Sequence, residues 1–123
     1  MHPRLSNRYF NFPSKNQGGI HWILQRVTGG LLVFLSVWVL ISLFSAPLLS
    51  YALMYEWMAC PCRAGGFMAF ICLALWHGYL GMEVIIDDYV SNAFWHGMVL
   101  SLLRLSLGGG LFATIWAFFE FIL

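Results

Sequence analysis

Charge is what this chain has least of. Lys, Arg, Asp and Glu together make up 9% of the 123 residues, while 61% are hydrophobic. An ordinary soluble domain carries about 25% charged residues. A soluble globule of this size cannot hide so much apolar surface, so that class is excluded. The net charge of +1 leaves no broad basic surface, which argues against a nucleic-acid partner. Cysteine is sparse too: Cys60 and Cys62 flank Pro61, and Cys72 stands alone. Two close thiols without further ligands fall short of the four donors a structural zinc site wants. Their one-residue separation also suits a disulfide poorly. They read as small, partly buried residues. Residues 1–19 lack an apolar core of their own and contain Pro3 and Pro13, so they do not form a signal peptide. No transit peptide is recognisable, which fits a bacterial chain, an organelle-encoded one or a processed mature one.

What the chain does have is three long apolar runs. No formal charge occurs from Val27 to Leu49 or from Ala64 to Met82. The expected spans are about 21–49, 64–88 and 94–121, within a single membrane domain covering 1–123. Each is long enough to cross ~30 Å of hydrocarbon at 1.5 Å per residue. Backbone groups cannot go unpaired in lipid, so the spans must be helices. The fold class is therefore all-α, with three transmembrane helices. Pro47 and Pro61 punctuate the first connection. Residues 1–20 read as an inner-face tail.

Orientation follows from the positive charges. Arg4, Arg8, Lys15 and Arg26 lie before or at the start of the first span, whereas the first connection carries only Arg63. The positive-inside rule places the N-terminus on the cytoplasmic or matrix side. Three spans then return Asp87, Asp88 and Tyr89 to that same face. The expected location is a bacterial or mitochondrial inner membrane.

His77 lies inside the second charge-free run. An ionisable side chain there is expensive and marks a functional position by default. Helical spacing puts Gly66, Phe70, Ala74, His77, Gly81, Val84 and Asp88 on one stripe. Gly81 then leaves a notch beside the imidazole, and Gly78 a second gap, as a flat bulky ligand such as haem would need. Position alone leaves three readings open: haem ligation, hydrogen bonding or packing between helices, and a proton relay. One His cannot supply both axial positions of a haem, so a second ligand would come from another chain. Tyr89 and Asp88 could hold a quinone carbonyl at the inner surface, or serve only as an interfacial anchor and a span terminus. His21 and Arg26 could reach an anionic group there, or Arg26 could snorkel into the headgroups. Arg104, about ten residues into the third span, needs a partner, and Glu83 is at similar depth. Ser106, Gly110 and Thr114 recur every four residues, a pattern for close helix contact.

These motifs carry a resemblance. His77-Gly-Tyr-Leu-Gly81-Met-Glu-Val-Ile-Ile-Asp-Asp88-Tyr89-Val90 resembles the signature of the smaller membrane-anchor subunit of succinate dehydrogenase, respiratory complex II. The stretch His21-Trp22-x-x-Gln25-Arg26-x-Thr28 resembles the start of that family's first helix. The resemblance spans essentially the whole chain, although the third helix matches only in hydropathy. It implies partnership with a flavoprotein, an iron–sulfur subunit and a second membrane-anchor (cytochrome b) subunit. FAD and iron–sulfur clusters would belong to those partners. His77 would be one axial ligand of a haem b shared with the other anchor. Tyr89, supported by Asp88, would bind ubiquinone. Arg26 and His21 would lie near haem propionates or the quinone pocket. The chain would then be a subunit that is not catalytic alone, helping electrons from succinate into the quinone pool. The competing readings are a quinol:fumarate reductase anchor, a haem-free structural membrane subunit, and a small transporter component using Glu83, Arg104 and His77 as a relay.

Overall fold

A computed structural model describes residues 15–47 and 50–122. Among these the elements are four helices: α1 Lys15–Phe44, α2 Tyr51–Met58, α3 Pro61–Tyr89 and α4 Ala93–Ile122. The three long ones, α1, α3 and α4, are each apolar and long enough to cross a membrane. Thirty residues at 1.5 Å each give about 45 Å, so their ends project beyond the hydrocarbon. The Arg4, Arg8, Tyr9 and Phe10 of the expected tail lie outside the described residues.

The boundaries differ from the sequence expectation at two points. The first span was expected to reach residue 49, but α1 ends at Phe44. Its last turn tightens, with Ser45 N–H donating to Ser42 and Ala46 N–H to Leu43, both at 3.1 Å. Pro47 cannot extend a helix and disfavours helical backbone at the residue before it. The expected tail of 1–20 is helical from Lys15 onward. The connection between the first two spans also holds an unanticipated helix, α2. Ser50 caps it, its side chain accepting from Leu53 N–H at 3.5 Å.

Pro61 opens α3 in its first turn, where a missing N–H costs nothing. Val90 ends it in extended backbone. Asn92 then starts α4, its Oδ1 accepting from the N–H groups of Phe94 (3.0 Å) and Trp95 (3.4 Å). So short a turn makes α3 and α4 antiparallel neighbours. α3 is the middle helix, packed against α1 on one side and α4 on the other.

Small residues set the close approaches. A Cβ at Gly66 would overlap the Trp38 ring, and one at Gly110 would lie 3.1 Å from Leu75. Gly66 therefore lets α1 meet α3 closely in the half nearest α2. Gly110 does the same for α4, from the Ser106/Gly110/Thr114 stripe. Trp38 and Trp57 both meet Phe67 edge-on, at 5.7 and 6.0 Å. The buried core among the described residues is small: Val39, Ala64, Leu80, Ile86 and the polar Thr28. The apolar surface left outward suits lipid and other subunits.

Candidate functional site

His77 projects from α3 toward α1. Its Nδ1 is 2.9 Å from the hydroxyl of Thr28, which is only 7% exposed. The meeting follows from depth. Thr28 is thirteen residues in from Lys15, and His77 is twelve residues in from Tyr89. At 1.5 Å per residue both sit about 18–20 Å from the end of the bundle that holds Lys15 and Tyr89. The Thr28 Oγ1 also lies 2.7 Å from the Leu24 carbonyl oxygen and 3.2 Å from that of Gln25, the usual back-bonding of Thr within a helix. Gly29 lets the imidazole lie close to α1: a Cβ there would be 3.2 Å from His77 Cε1. Among the described residues, Nδ1 makes the ring's one hydrogen bond.

The notch expected at Gly81 is not an opening beside the imidazole. A Cβ there would meet Gln25 of α1 at 3.7 Å, ordinary packing distance. Gly66, His77 and Gly81 all face α1, so the stripe is largely a helix seam. Gly78 is different: a Cβ there would have nothing within 4 Å. That space belongs to a pocket between α3 and α4, lined with Leu75, Leu103 and Ser106, which His77 does not line.

Nearer the end of the bundle that holds Lys15 and Tyr89, four polar side chains join the three long helices. Tyr79 donates from its hydroxyl to Glu83 Oε1 at 3.0 Å. Arg104 of α4 places Nε 3.5 Å from that hydroxyl and a terminal nitrogen 4.0 Å from Glu83 Oε1. His21 of α1 brings Nε2 to 3.4 Å from Glu83 Oε2. That last approach is off hydrogen-bond geometry, and this buried nitrogen makes no hydrogen bond. A lone carboxylate or guanidinium in lipid is costly, and pairing lowers the cost. Glu83 is thus the partner of Arg104, as their shared depth suggested. No other described carboxylate lies within 4.0 Å of Arg104.

Asp87 Oδ1 lies 2.8 Å from His96 Nε2 across the α3–α4 turn. Asp88 and Tyr89 follow, both exposed, with no side-chain hydrogen bond among the described residues. Arg26 is exposed and lies over the Trp22 ring at 4.2 Å, a cation–π contact at the start of the first span. His21 and Arg26 do not converge: His21 turns to Glu83 while Arg26 stacks outward on Trp22.

Sequence reasoning missed three participants: Thr28, Tyr79 and Asp87. Thr28 had been quoted within a motif without a role. The signal that could have found it was its depth, which equals that of His77 once α1 and α3 are antiparallel. Tyr79 lies one turn from Glu83 on α3, and Asp87 lies one turn beyond it.

The family described as the succinate dehydrogenase/fumarate reductase transmembrane subunit matches residues 7–118. Among curated proteins, the succinate dehydrogenase hydrophobic membrane anchor subunit of Rickettsia felis is 33% identical over 78 residues, covering 63% of this chain and 65% of the relative. Its counterpart in Rickettsia conorii is 33% identical over 82 residues, covering 66% and 65% respectively. That of Rickettsia typhi is 31% identical over 78 residues. The chain thus spans just under two thirds of the length of these curated relatives. No solved structure matches the chain.

Proposed function

The chain belongs to the succinate dehydrogenase/fumarate reductase transmembrane subunit family, and on that premise we propose that it anchors succinate dehydrogenase in its membrane and helps to bind haem b and ubiquinone. It is a multi-pass membrane protein with three spans. The relatives carry the dehydrogenase name, which favours succinate oxidation over the reverse direction. The partners of this reading are a flavoprotein, an iron–sulfur subunit and a second membrane anchor.

The observation that carries the haem assignment is His77 held by one nitrogen only. Thr28 occupies Nδ1, and no side chain among the described residues bonds Nε2. No cluster of three His, Cys, Asp or Glu converges among the described residues. A single imidazole would suffice to hold the iron of a haem shared with another chain. The residues therefore fit a shared haem. Bound there, haem b supplies a one-electron redox centre within the membrane. His77 holds it, and Arg26, its guanidinium turned outward over Trp22, is suited to pair with a propionate. His21, engaged with Glu83, contributes to that region through packing more than by reach.

Ubiquinone occupies a separate place in this reading. Tyr89, 83% exposed at the end of α3, offers its phenolic hydroxyl to a quinone carbonyl. Asp88, beside it, supports that site with a carboxylate at the inner surface. The partner subunits' FAD and iron–sulfur clusters would supply the electrons of succinate to this edge.

The test is a reduced-minus-oxidised optical spectrum of the complex purified with its partners. Wild-type complex should show a b-type haem. His77→Ala should lose it or shift its bands. A haem content and spectrum untouched by that change would remove His77 from the assignment.

A further inference from the structure

The Thr28 hydroxyl has a single hydrogen, and three acceptor positions surround it. It lies 2.7 Å from the Leu24 carbonyl oxygen, 3.2 Å from that of Gln25 and 2.9 Å from His77 Nδ1. A hydroxyl donates once and accepts with its lone pairs, while a backbone carbonyl can only accept. The shortest contact therefore takes the hydrogen, directing it to Leu24. Toward His77, Thr28 then accepts, and Nδ1 must carry the ring hydrogen. A neutral imidazole protonated at Nδ1 has its lone pair on Nε2. The opposite arrangement, with Thr28 donating into Nδ1, would put the hydrogen on Nε2 and close that nitrogen to a metal.

We propose that Thr28 is a positioning residue for His77: it fixes the Nδ1–H tautomer, aims Nε2 out of the α1–α3 seam and strengthens the imidazole as an iron ligand. This rests on the reading of His77 as a haem ligand. Two further features hold the arrangement in place. Thr28 is buried, so water does not compete for its hydroxyl. Gly29 brings the backbone of α1 to the ring edge, where a Cβ would be 3.2 Å from Cε1. The imidazole is thus gripped on its Nδ1–Cε1 side by two consecutive residues of one helix. An acceptor on the distal nitrogen raises the electron density of a ligating His, and such partners commonly matter tenfold to a hundredfold in metal affinity. A more electron-rich ligand favours ferric iron, which lowers the reduction potential.

The experiment compares wild-type, Thr28→Val and Thr28→Ser in the complete complex, with haem per complex and the haem midpoint potential as readouts. Val keeps the shape of Thr and removes the acceptor. It should raise the midpoint potential and weaken haem retention by roughly tenfold to a hundredfold. Ser keeps the hydroxyl and should stay near wild type in both. A Val complex with wild-type potential and haem content would overturn the proposal. Should the Val complex fail to assemble, Thr28→Ala, which also removes the hydroxyl, decides: a raised potential with weakened haem retention supports the role, and wild-type values for both overturn it. His77→Ala separates the two levels. Haem retained there with an unchanged spectrum removes both the ligand and its positioning partner, whereas haem lost there with an unaffected Thr28→Val complex removes Thr28 alone.

Discussion

Tyr89 and His77 are both on α3, yet they are set in opposite surroundings. Tyr89 is exposed at the helix end, and His77 is tied to a neighbouring helix. If Tyr89 donates to a quinone, Tyr89→Phe removes one hydrogen bond and little else. Quinone reductase activity should fall by about tenfold, the worth of roughly 1.4 kcal/mol, within the range for a single hydrogen bond. Succinate oxidation with a soluble artificial acceptor should stay near wild type. Equal loss of both activities would point to failed assembly instead. Single residues differed in how far the sequence exposed them. His77 was conspicuous because it is ionisable in a charge-free run. Glu83 and Arg104 could be paired by counting residues from the inner face. Thr28 was hidden because Thr is ordinary in a helix. Its pairing depends on the rotation of α1 against α3, which composition does not report. The Gly81 notch was misread for the same reason: a missing side chain shows that something comes close, but not whether it is a ligand or Gln25.

At the level of helices, the α1–α3 seam depends on Gly66. A methyl group there would overlap the Trp38 ring, which is itself wedged against Phe67. Overpacking of this kind costs about 1–3 kcal/mol. Gly66→Ala should therefore lower the thermal midpoint of the purified complex, and Gly78→Ala, with open space around it, should not. Equal midpoints for the two variants would count against the seam. The three spans were legible because long apolar runs admit little else in lipid. Their ends were less so, since Pro47 stops α1 within a stretch that stays apolar through Leu49. α2 was not legible at all. Eight residues carry too little periodicity to announce a helix, and its place is set by distant contacts. Arg63 stacks on Trp57 at 4.8 Å and donates to its carbonyl. Tyr55 meets Phe121 at 5.4 Å and reaches the Glu120 carbonyl at 3.4 Å. Together these dock α2 onto α3 and the far end of α4.

For the molecule as a whole, orientation is the property most open to a direct test. The reading that sets the N-terminus on the cytoplasmic or matrix side puts Cys60 and Cys62 on the opposite face. A membrane-impermeant maleimide should label them in intact cells or mitoplasts without permeabilisation; labelling only after permeabilisation would invert the topology. The backbone N–H groups of Arg63 and Cys62 hold the Cys60 thiol below the ordinary thiol range. A lowered value means more of the reactive thiolate at a given pH. Cys60 labelling should therefore persist to lower pH than that of an unperturbed thiol, and decline only as pH falls through the lowered value. The small core has a consequence at this scale as well. With large apolar side chains such as Phe34 and Phe44 at 78% and 92% exposure, much of the apolar surface is left for lipid to cover, not the chain itself.

The quartet of His21, Tyr79, Glu83 and Arg104 also has an order in time. A ribosome releases α1 first, then α3, then α4. Glu83 thus enters the bilayer with Tyr79 one turn away and His21 already across from it. Arg104 comes last, on a helix whose insertion it opposes by about 2.5–3.5 kcal/mol if left at the bilayer centre. By then a carboxylate and a phenol stand at the depth where its guanidinium arrives. Synthesis delivers the counter-charge before the charge, so the earlier helices act as the template on which the last one is threaded.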